Sequence, residues 1–328
     1  MATINDAHFR GELETRRERL ISAIEITPSE DLAGLLAEVD AALERIRAGS
    51  FGICESCHDP VEFDRLAADP LVRFCVDHLS TEQRRALERD VETAATIQRT
   101  LLPLPDIRAS GWHIHYRYQP AGPVSGDYCD VIQSSNGDGS IVFLLGDVSG
   151  KGISASMLMA QLHAMFRSLI PLHRPVAEVL GMANRLFCQS TNQGLYATLV
   201  CGRANRDGTV EIGSAGHPPI WIASCAGPKA IEATGLPLGM FSTSKYSTTN
   251  VRLEPKQSLV IYTDGLSECL NSDGVEYGQK RLREVVAANH QLDPVALSNA
   301  FMNDLKLHSA NSAPSDDLTL MVVRRLDA

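Results

Sequence analysis

The chain has 328 residues, 44 % apolar and 21 % charged, with a formal net charge of -10, which allows two globular domains. That acidity argues against a nucleic-acid-binding surface as the main activity, because phosphate contacts need clustered cations. No run approaches the ~20 apolar residues that span a bilayer, and Met1 to Arg19 lacks the apolar core of a signal peptide, so a cytoplasmic protein without membrane contact is expected.

Residues 1–50 read as a helical hairpin. Phe9, Leu13, Leu20 and Ile24 recur at helical spacing, as do Leu32, Leu36, Val39, Leu43 and Ile46. Between the two stripes, Thr27-Pro28-Ser29-Glu30 predicts a helix start with Thr27 as N-cap, Pro28 at the first position and Glu30 at the third. Each helix of about twenty residues extends ~30 Å.

Residues 51–79 carry two knuckles, Cys54-x2-Cys57 and Cys75-x2-His78, separated by seventeen residues. Paired two-residue spacers let each knuckle offer two ligands from one tight turn, and four N or S donors satisfy a tetrahedral zinc ion. With every position taken by protein, such a site is closed and structural. Oxidation of Cys54, Cys57 or Cys75 would eject the metal, so zinc-thiolate redox sensing stands beside a plain structural role. The other cysteines, Cys129, Cys188, Cys201, Cys225 and Cys269, are scattered through apolar segments, as free thiols of a reducing compartment are.

Residues 80–103 predict a linker helix, opened by the capping box Ser80-Thr81-Glu82-Gln83. Leu87, Val91, Ala94 and Leu101 form one stripe, with Gln98 in the remaining seam position. Two readings stay open: a surface helix packed on its own domain, or a short coiled coil that joins two copies of the chain. Leu102-Pro103-Leu104-Pro105 then breaks the helix.

From residue 104 to 328 the pattern turns to strands with helices between them. Buried strands are predicted at residues 141–145, 195–200, 258–262 and 318–323, and helices at 154–172 and 176–190. Strands and helices cluster instead of alternating, which predicts an α+β sandwich over a doubly wound sheet. Acidic residues stand at the strand ends: Asp127 and Asp130, Asp147, Asp264, then Asp316 and Asp317. Converging strand-end carboxylates make an oxygen-rich site suited to Mg²⁺ or Mn²⁺. Asp264-Gly265 alone would be a turn, but four acidic segments in series, each attached to a strand, exceed what turns explain.

Two family resemblances follow from these residues. Gly52-Ile53-Cys54-Glu55-Ser56-Cys57, Arg65-Leu66-Ala67-Ala68-Asp69-Pro70 and Cys75-x2-His78, after a helical hairpin, resemble the DksA/TraR zinc-finger family. Members of that family bind RNA polymerase through the hairpin tip. Its acidic tip pattern falls here on Pro28, Asp31 and Ala33, so one of the two acids is absent. His78 replaces the usual fourth Cys. The resemblance implies the fold, and it makes an RNA polymerase-binding regulator with a tethered enzyme the alternative reading of the chain.

Residues 95–326 resemble the SpoIIE/RsbU branch of the PPM (PP2C-type) phosphatases. The carriers are Ile97-Gln98-Arg99-Thr100-Leu101-Leu102-Pro103, Gly126-Asp127-Tyr128-Cys129-Asp130, the glycine-rich segment from Gly146 to Gly152, Ser214-Ala215-Gly216-His217-Pro218-Pro219, Gly235-Leu236-Pro237-Leu238-Gly239, Thr263-Asp264-Gly265 with Glu268, and Ser315-Asp316-Asp317-Leu318. The resemblance implies an αββα PP2C-like sandwich and a metal-dependent serine/threonine phosphatase. It implies that Asp147 bridges two Mn²⁺ or Mg²⁺ ions, that Asp264 and Asp316 hold the first, and that the Val148 carbonyl with Asp127 and Asp130, through water, serves the second. It also implies a phosphorylated STAS-domain anti-anti-sigma protein as substrate, with the hairpin and zinc finger as the input module. Lys151, at the start of a helix whose free N–H groups favour an anion, is a candidate phosphate contact beside its plainer reading as a solvated turn residue. His217, before two prolines at a strand end, reads as structural.

Overall fold

The computed structural model describes residues 6–78, 81–134, 137–191, 194–310 and 315–327. They form two units that divide between Asp90 and Val91. In the first, α1 (Asp6–Ile26) and α2 (Glu30–Ala48) are the two helices expected from the apolar stripes. Phe9 and Leu13 of α1 meet Val39, Ala42, Leu43 and Ile46 of α2 in one core, which also takes in Phe51, Val61 and Leu66. The predicted helix start is displaced. Ser29, not Thr27, is the N-cap of α2. The reason is local: the Thr27 N–H still donates to the Ala23 carbonyl at 2.8 Å, so Thr27 closes α1. Gly49 ends α2 at φ 69°, a left-handed position that glycine takes without a Cβ penalty. A short α3 (Phe63–Ala68) separates the two cysteine knuckles.

The helix α4 spans Thr81–Leu101, and its residues from Val91 onward belong to the second unit. Ser80, the expected cap, lies outside the described residues. From Val91 onward the stripe is used within the second unit, shifted by one place: Gln98 is buried and Leu101 packs on the core as expected, but Ala95 is buried where Ala94 was predicted. The surface-helix reading therefore describes this half, and Leu87 is exposed.

The second unit is two antiparallel sheets between two helical layers. Its elements in order are β1 (Asp106–Ala109), β2 (Trp112–Gln119), β3 (Tyr128–Gln133), β4 (Ile141–Val148), α5 (Gly152–Leu169), α6 (Val176–Ser190), β5 (Ala197–Ala204), β6 (Thr209–Ala215), β7 (Ile220–Ala223), β8 (Lys229–Ile231), β9 (Thr249–Arg252), β10 (Ser258–Tyr262), α7 (Asp264–Ser267), α8 (Gly278–Asn289), α9 (Pro294–His308) and β11 (Leu318–Arg325). One sheet has the order β1-β2-β11-β10-β7-β8, the other β3-β4-β5-β6-β9.

The strands are apolar on both faces because both faces are covered. Trp112, Ile114 and Phe143 alternate inward and fill the space between the sheets. Val142, Leu144 and Leu199 face the other way onto α5 and α6, through Leu162, Phe166 and Leu180. Val260, Leu320 and Val322 face α8 and α9, through Val286, Leu297 and Phe301. This is the expected αββα sandwich. The predicted strand at 195–200 begins two residues later and runs to Ala204, where its register with β4 ends.

Candidate active site and metal centre

The acids gather because antiparallel register brings strand ends together. Tyr262 at the end of β10 pairs with Leu320 near the start of β11, and the Thr263 N–H donates to the Thr319 carbonyl at 3.0 Å. That places Asp264 beside Asp316 and Asp317. The approach is close enough to require Gly265, where a Cβ would lie 2.0 Å from the Asp317 carbonyl oxygen. Asp147, at the end of β4 in the other sheet, faces the same group. Burial first, and then the Asp264, Asp316 and Asp317 carboxylates, push its pKa up to about 7. Burial and Asp316 also raise Asp264, and burial, Asp264, Glu276 and Asp316 raise Glu268.

Asp127 crosses from one sheet to the other. It is buried, and its Oδ2 accepts the hydroxyls of Thr263, at 3.0 Å, and Thr319. Its Oδ1 is buried with no donor among the described residues. Burial, then Asp147, raises its pKa well above the carboxylate range. Gly126 beside it lies against the end of β4: a Cβ there would stand 3.1 Å from the Val148 carbonyl oxygen and 3.5 Å from Asp147 Oδ1.

Facing carboxylates, of which Asp147, Asp264 and Asp127 are raised by their acidic neighbours, a buried carboxylate oxygen with no donor among the described residues and an adjoining main-chain carbonyl make a hard-oxygen donor set. It fits divalent cations such as Mg²⁺ or Mn²⁺. Lys151 is tied to the group, its Nζ 2.9 Å from Asp316 Oδ2 and 3.2 Å from the Ser315 carbonyl.

Asp130 does not join these acids. It lies on the face of β3 that packs on α5, fully buried, and takes two hydrogen bonds from Arg167 at 2.7 and 2.6 Å, with His163 3.8 Å away. Alternation along β3 explains the separation, since the side chain shares its face with Tyr128, which packs on α5. Arg167→Met should therefore cost about 3–5 kcal/mol in urea unfolding, the penalty for leaving a buried charge unpaired. A cost below about 1 kcal/mol would show that the pair carries no structural weight.

Four residues act in ways the sequence reading did not assign: Asp317, counted there only among the acids, and Thr263, Thr319 and Gln98. Asp317 turns away from its neighbour and accepts the N–H groups of Ala121 and Gly126, both at 2.8 Å, fixing the loop that delivers Asp127. Thr263 and Thr319 hold Asp127 itself. Gln98 of α4 makes a two-way amide contact with the same loop, donating to the Ser125 carbonyl at 2.6 Å and accepting the Ser125 N–H at 3.0 Å. Only the position of Gln98 in an apolar stripe marked it in advance.

In the first unit, one ligand atom from each of Cys54, Cys57, Cys75 and His78 lies within 4.8 Å of the others. Cys57 Sγ and Cys75 Sγ are 3.7 Å apart, and Cys75 Sγ is 3.1 Å from His78 Nδ1. The sulfur separation is close to the ~3.8 Å edge of a tetrahedron with Zn–S bonds of ~2.3 Å. Burial opposes a thiolate at Cys54, but hydrogen bonds from the Cys57, Cys75 and Ser56 main chain outweigh it and bring its pKa down to about 6. Glu55 joins the two knuckles, bonded to Arg73 at 2.7 Å and to Arg45 of α2 at 3.2 Å. Three thiols and an imidazole fit zinc.

Both units are similar to known proteins. Residues 49–77 match the family described as prokaryotic dksA/traR C4-type zinc finger. Phosphoserine phosphatase RsbU of Bacillus subtilis is 28% identical over 250 residues, covering 74% of this chain and 72% of that protein. Protein IcfG of Synechocystis is 26% identical over 271 residues, covering 72% of this chain but only 41% of its own length. The SiaA-PP2C domain of Pseudomonas aeruginosa superposes with a TM-score of 0.65 at 16% identity, over 76% of this chain and all of that one, which fixes the fold. Residues 137–326, more than half of the chain, match the family described as Stage II sporulation protein E, so the chain belongs to the SpoIIE family of PP2C-type serine/threonine phosphatases.

Proposed function

We propose that the protein removes phosphate from serine or threonine of a phosphorylated STAS-domain anti-anti-sigma protein in the cytoplasm, using two Mn²⁺ or Mg²⁺ ions, under control of its zinc-bearing first unit. The observation that carries the reading is the meeting of strand-end carboxylates from both sheets at one end of the sandwich. Asp147, Asp264, Asp316 and the Val148 carbonyl would hold the cations. Bound there, such ions make a water acidic enough to serve as nucleophile near neutral pH and offset charge on the phosphoryl oxygens. The chain's own residues keep the acids apposed. Asp127, fixed by two threonine hydroxyls, leaves one oxygen for a cation or its water, and Lys151, exposed at the mouth, offers a positive charge to the incoming phosphate. Asp130 serves at a distance, by locking α5 to β3.

Support for the substrate class comes from the similarity to a phosphoserine phosphatase, RsbU. The likeness of the first unit to the dksA/traR finger supports zinc there and keeps the polymerase-docking alternative in view. No helix among the described residues is long and apolar enough to cross a membrane.

The test is phosphate release from phosphoserine STAS proteins with Mn²⁺, comparing the full chain with a chain beginning at Val91, which retains Gln98. Release by both, at different rates, is the expected result. Equal rates would remove the regulatory role, and no release from any phosphoserine or phosphothreonine protein would remove the enzyme reading.

A further inference from the structure

His217 lies just beyond β6, between the strand ends that carry Asp147 and Asp264. Thr198 of β5 stands directly opposite Asp147 of β4. The His217 Nδ1 is 3.0 Å from the Thr198 hydroxyl oxygen. The ring is 3 % exposed, and its Nε2 is buried with no hydrogen-bond partner among the described residues. Burial holds the imidazole neutral, with a pKa lowered to about 3, and the one influence in the other direction is the Tyr262 main chain. Tyr262 ends β10, two residues before Asp264. The ring therefore spans from the sheet that presents Asp147 to the sheet that presents Asp264.

Away from Asp127 and its two threonines, a cluster of apolar side chains from both sheets fills the space between them. A buried polar ring with one nitrogen unpaired is costly there, and an apolar residue of similar size would pack without that cost. With the Thr198 hydroxyl donating to Nδ1, Nε2 carries the proton, and the Tyr262 main chain favours that proton without reaching hydrogen-bond geometry.

We propose that His217 is a positioning residue that holds the Asp147 strand end in register with the Asp264 strand end, with Thr198 orienting its ring, and so sets how tightly the carboxylates bind divalent cations. The inference rests on the metal-site reading above. Outer residues that orient a metal site change affinity by roughly 10–100-fold when removed, and an effect of that size is expected here.

Calorimetric titration of the full chain with Mn²⁺ tests this, using His217→Ala, His217→Gln, Thr198→Val and the His217→Ala/Thr198→Val pair, with melting of the metal-free proteins alongside. The expected result is a Kd raised at least tenfold by His217→Ala and by Thr198→Val, and no further by the pair. Hydrolysis of p-nitrophenyl phosphate should then recover at high Mn²⁺ with unchanged KM. If His217→Ala does not fold, Thr198→Val, which keeps the imidazole, decides the matter alone. Wild-type protein that takes up no Mn²⁺ sinks the metal reading and this inference together. Wild-type protein that binds Mn²⁺ while the variants bind it within twofold sinks only this one, whatever their melting temperatures.

Discussion

Asp147→Asn should lower phosphate release by on the order of 10³-fold or more, about 4 kcal/mol of transition-state stabilisation, while making the metal-free protein more stable. The two signs come from one cause. Asp147 is largely buried and faces Asp264, Asp316 and Asp317, so its charge is unfavourable until a cation offsets it. Removing that charge relieves the metal-free fold and removes an acid the cations need. Melting with and without Mn²⁺ separates the parts. Wild-type protein should gain about 2.7 kcal/mol at a metal concentration one hundred times Kd, and the variant should gain little.

The pH dependence has a defined direction. The folded-state pKa of Asp147, about 7, is raised above the ordinary 3.8. Between those values the folded protein holds a proton that the unfolded chain does not. The metal-free protein should therefore lose stability as pH rises from about 4 to about 7, and Asp147→Asn should flatten that slope. A variant with wild-type activity, or one less stable than wild type without metal, would make Asp147 an ordinary structural acid.

Zinc removal should have an effect of comparable size in the first unit. Cys54 and Cys75 sit inside the core shared by α1 and α2, and structural zinc contributes on the order of 10–16 kcal/mol in small domains. That is as large as the ~5–15 kcal/mol of whole-domain stability. Chelation, or Cys75→Ala, should release one zinc per chain and open residues 49–78 to proteolysis. The three cores of the second unit contain none of the four ligands, so its unfolding transition should not move. Unchanged proteolysis after loss of the metal would show that packing alone holds the knuckles.

Periodicity made the hairpin, the central strands and an α+β sandwich legible, because strands such as β4 and β10 are apolar for most of their length; the αββα layering came from the family resemblance. The strand-end acids could also be read, since a carboxylate after an apolar run has few places to go. What stayed hidden depended on register and side-chain direction. Asp130 looks equivalent to Asp127 along the chain, yet alternation turns it toward Arg167. Asp316 and Asp317 are adjacent, yet one meets Lys151 and the other holds a loop nearly two hundred residues away in sequence. Gln98 read as a seam residue between two helices because nothing local shows that Ser125 waits across from it. The role of His217 was hidden for the same reason, since both its neighbours come from other strands.

The position of β11 has a consequence for how the molecule is made. The last strand in chain order lies at the centre of its sheet, between β2 and β10, with Leu318 paired to Gln119. At ~5–20 residues per second, a ribosome takes on the order of ten to forty seconds to supply the partner that β2 requires. During that interval β2 exposes an unpaired edge, joined near its end by β10, and such edges are templates for aggregation. The carboxylates of residues 316 and 317 arrive with the same strand, so a nascent chain cannot assemble the site until its sheet can close.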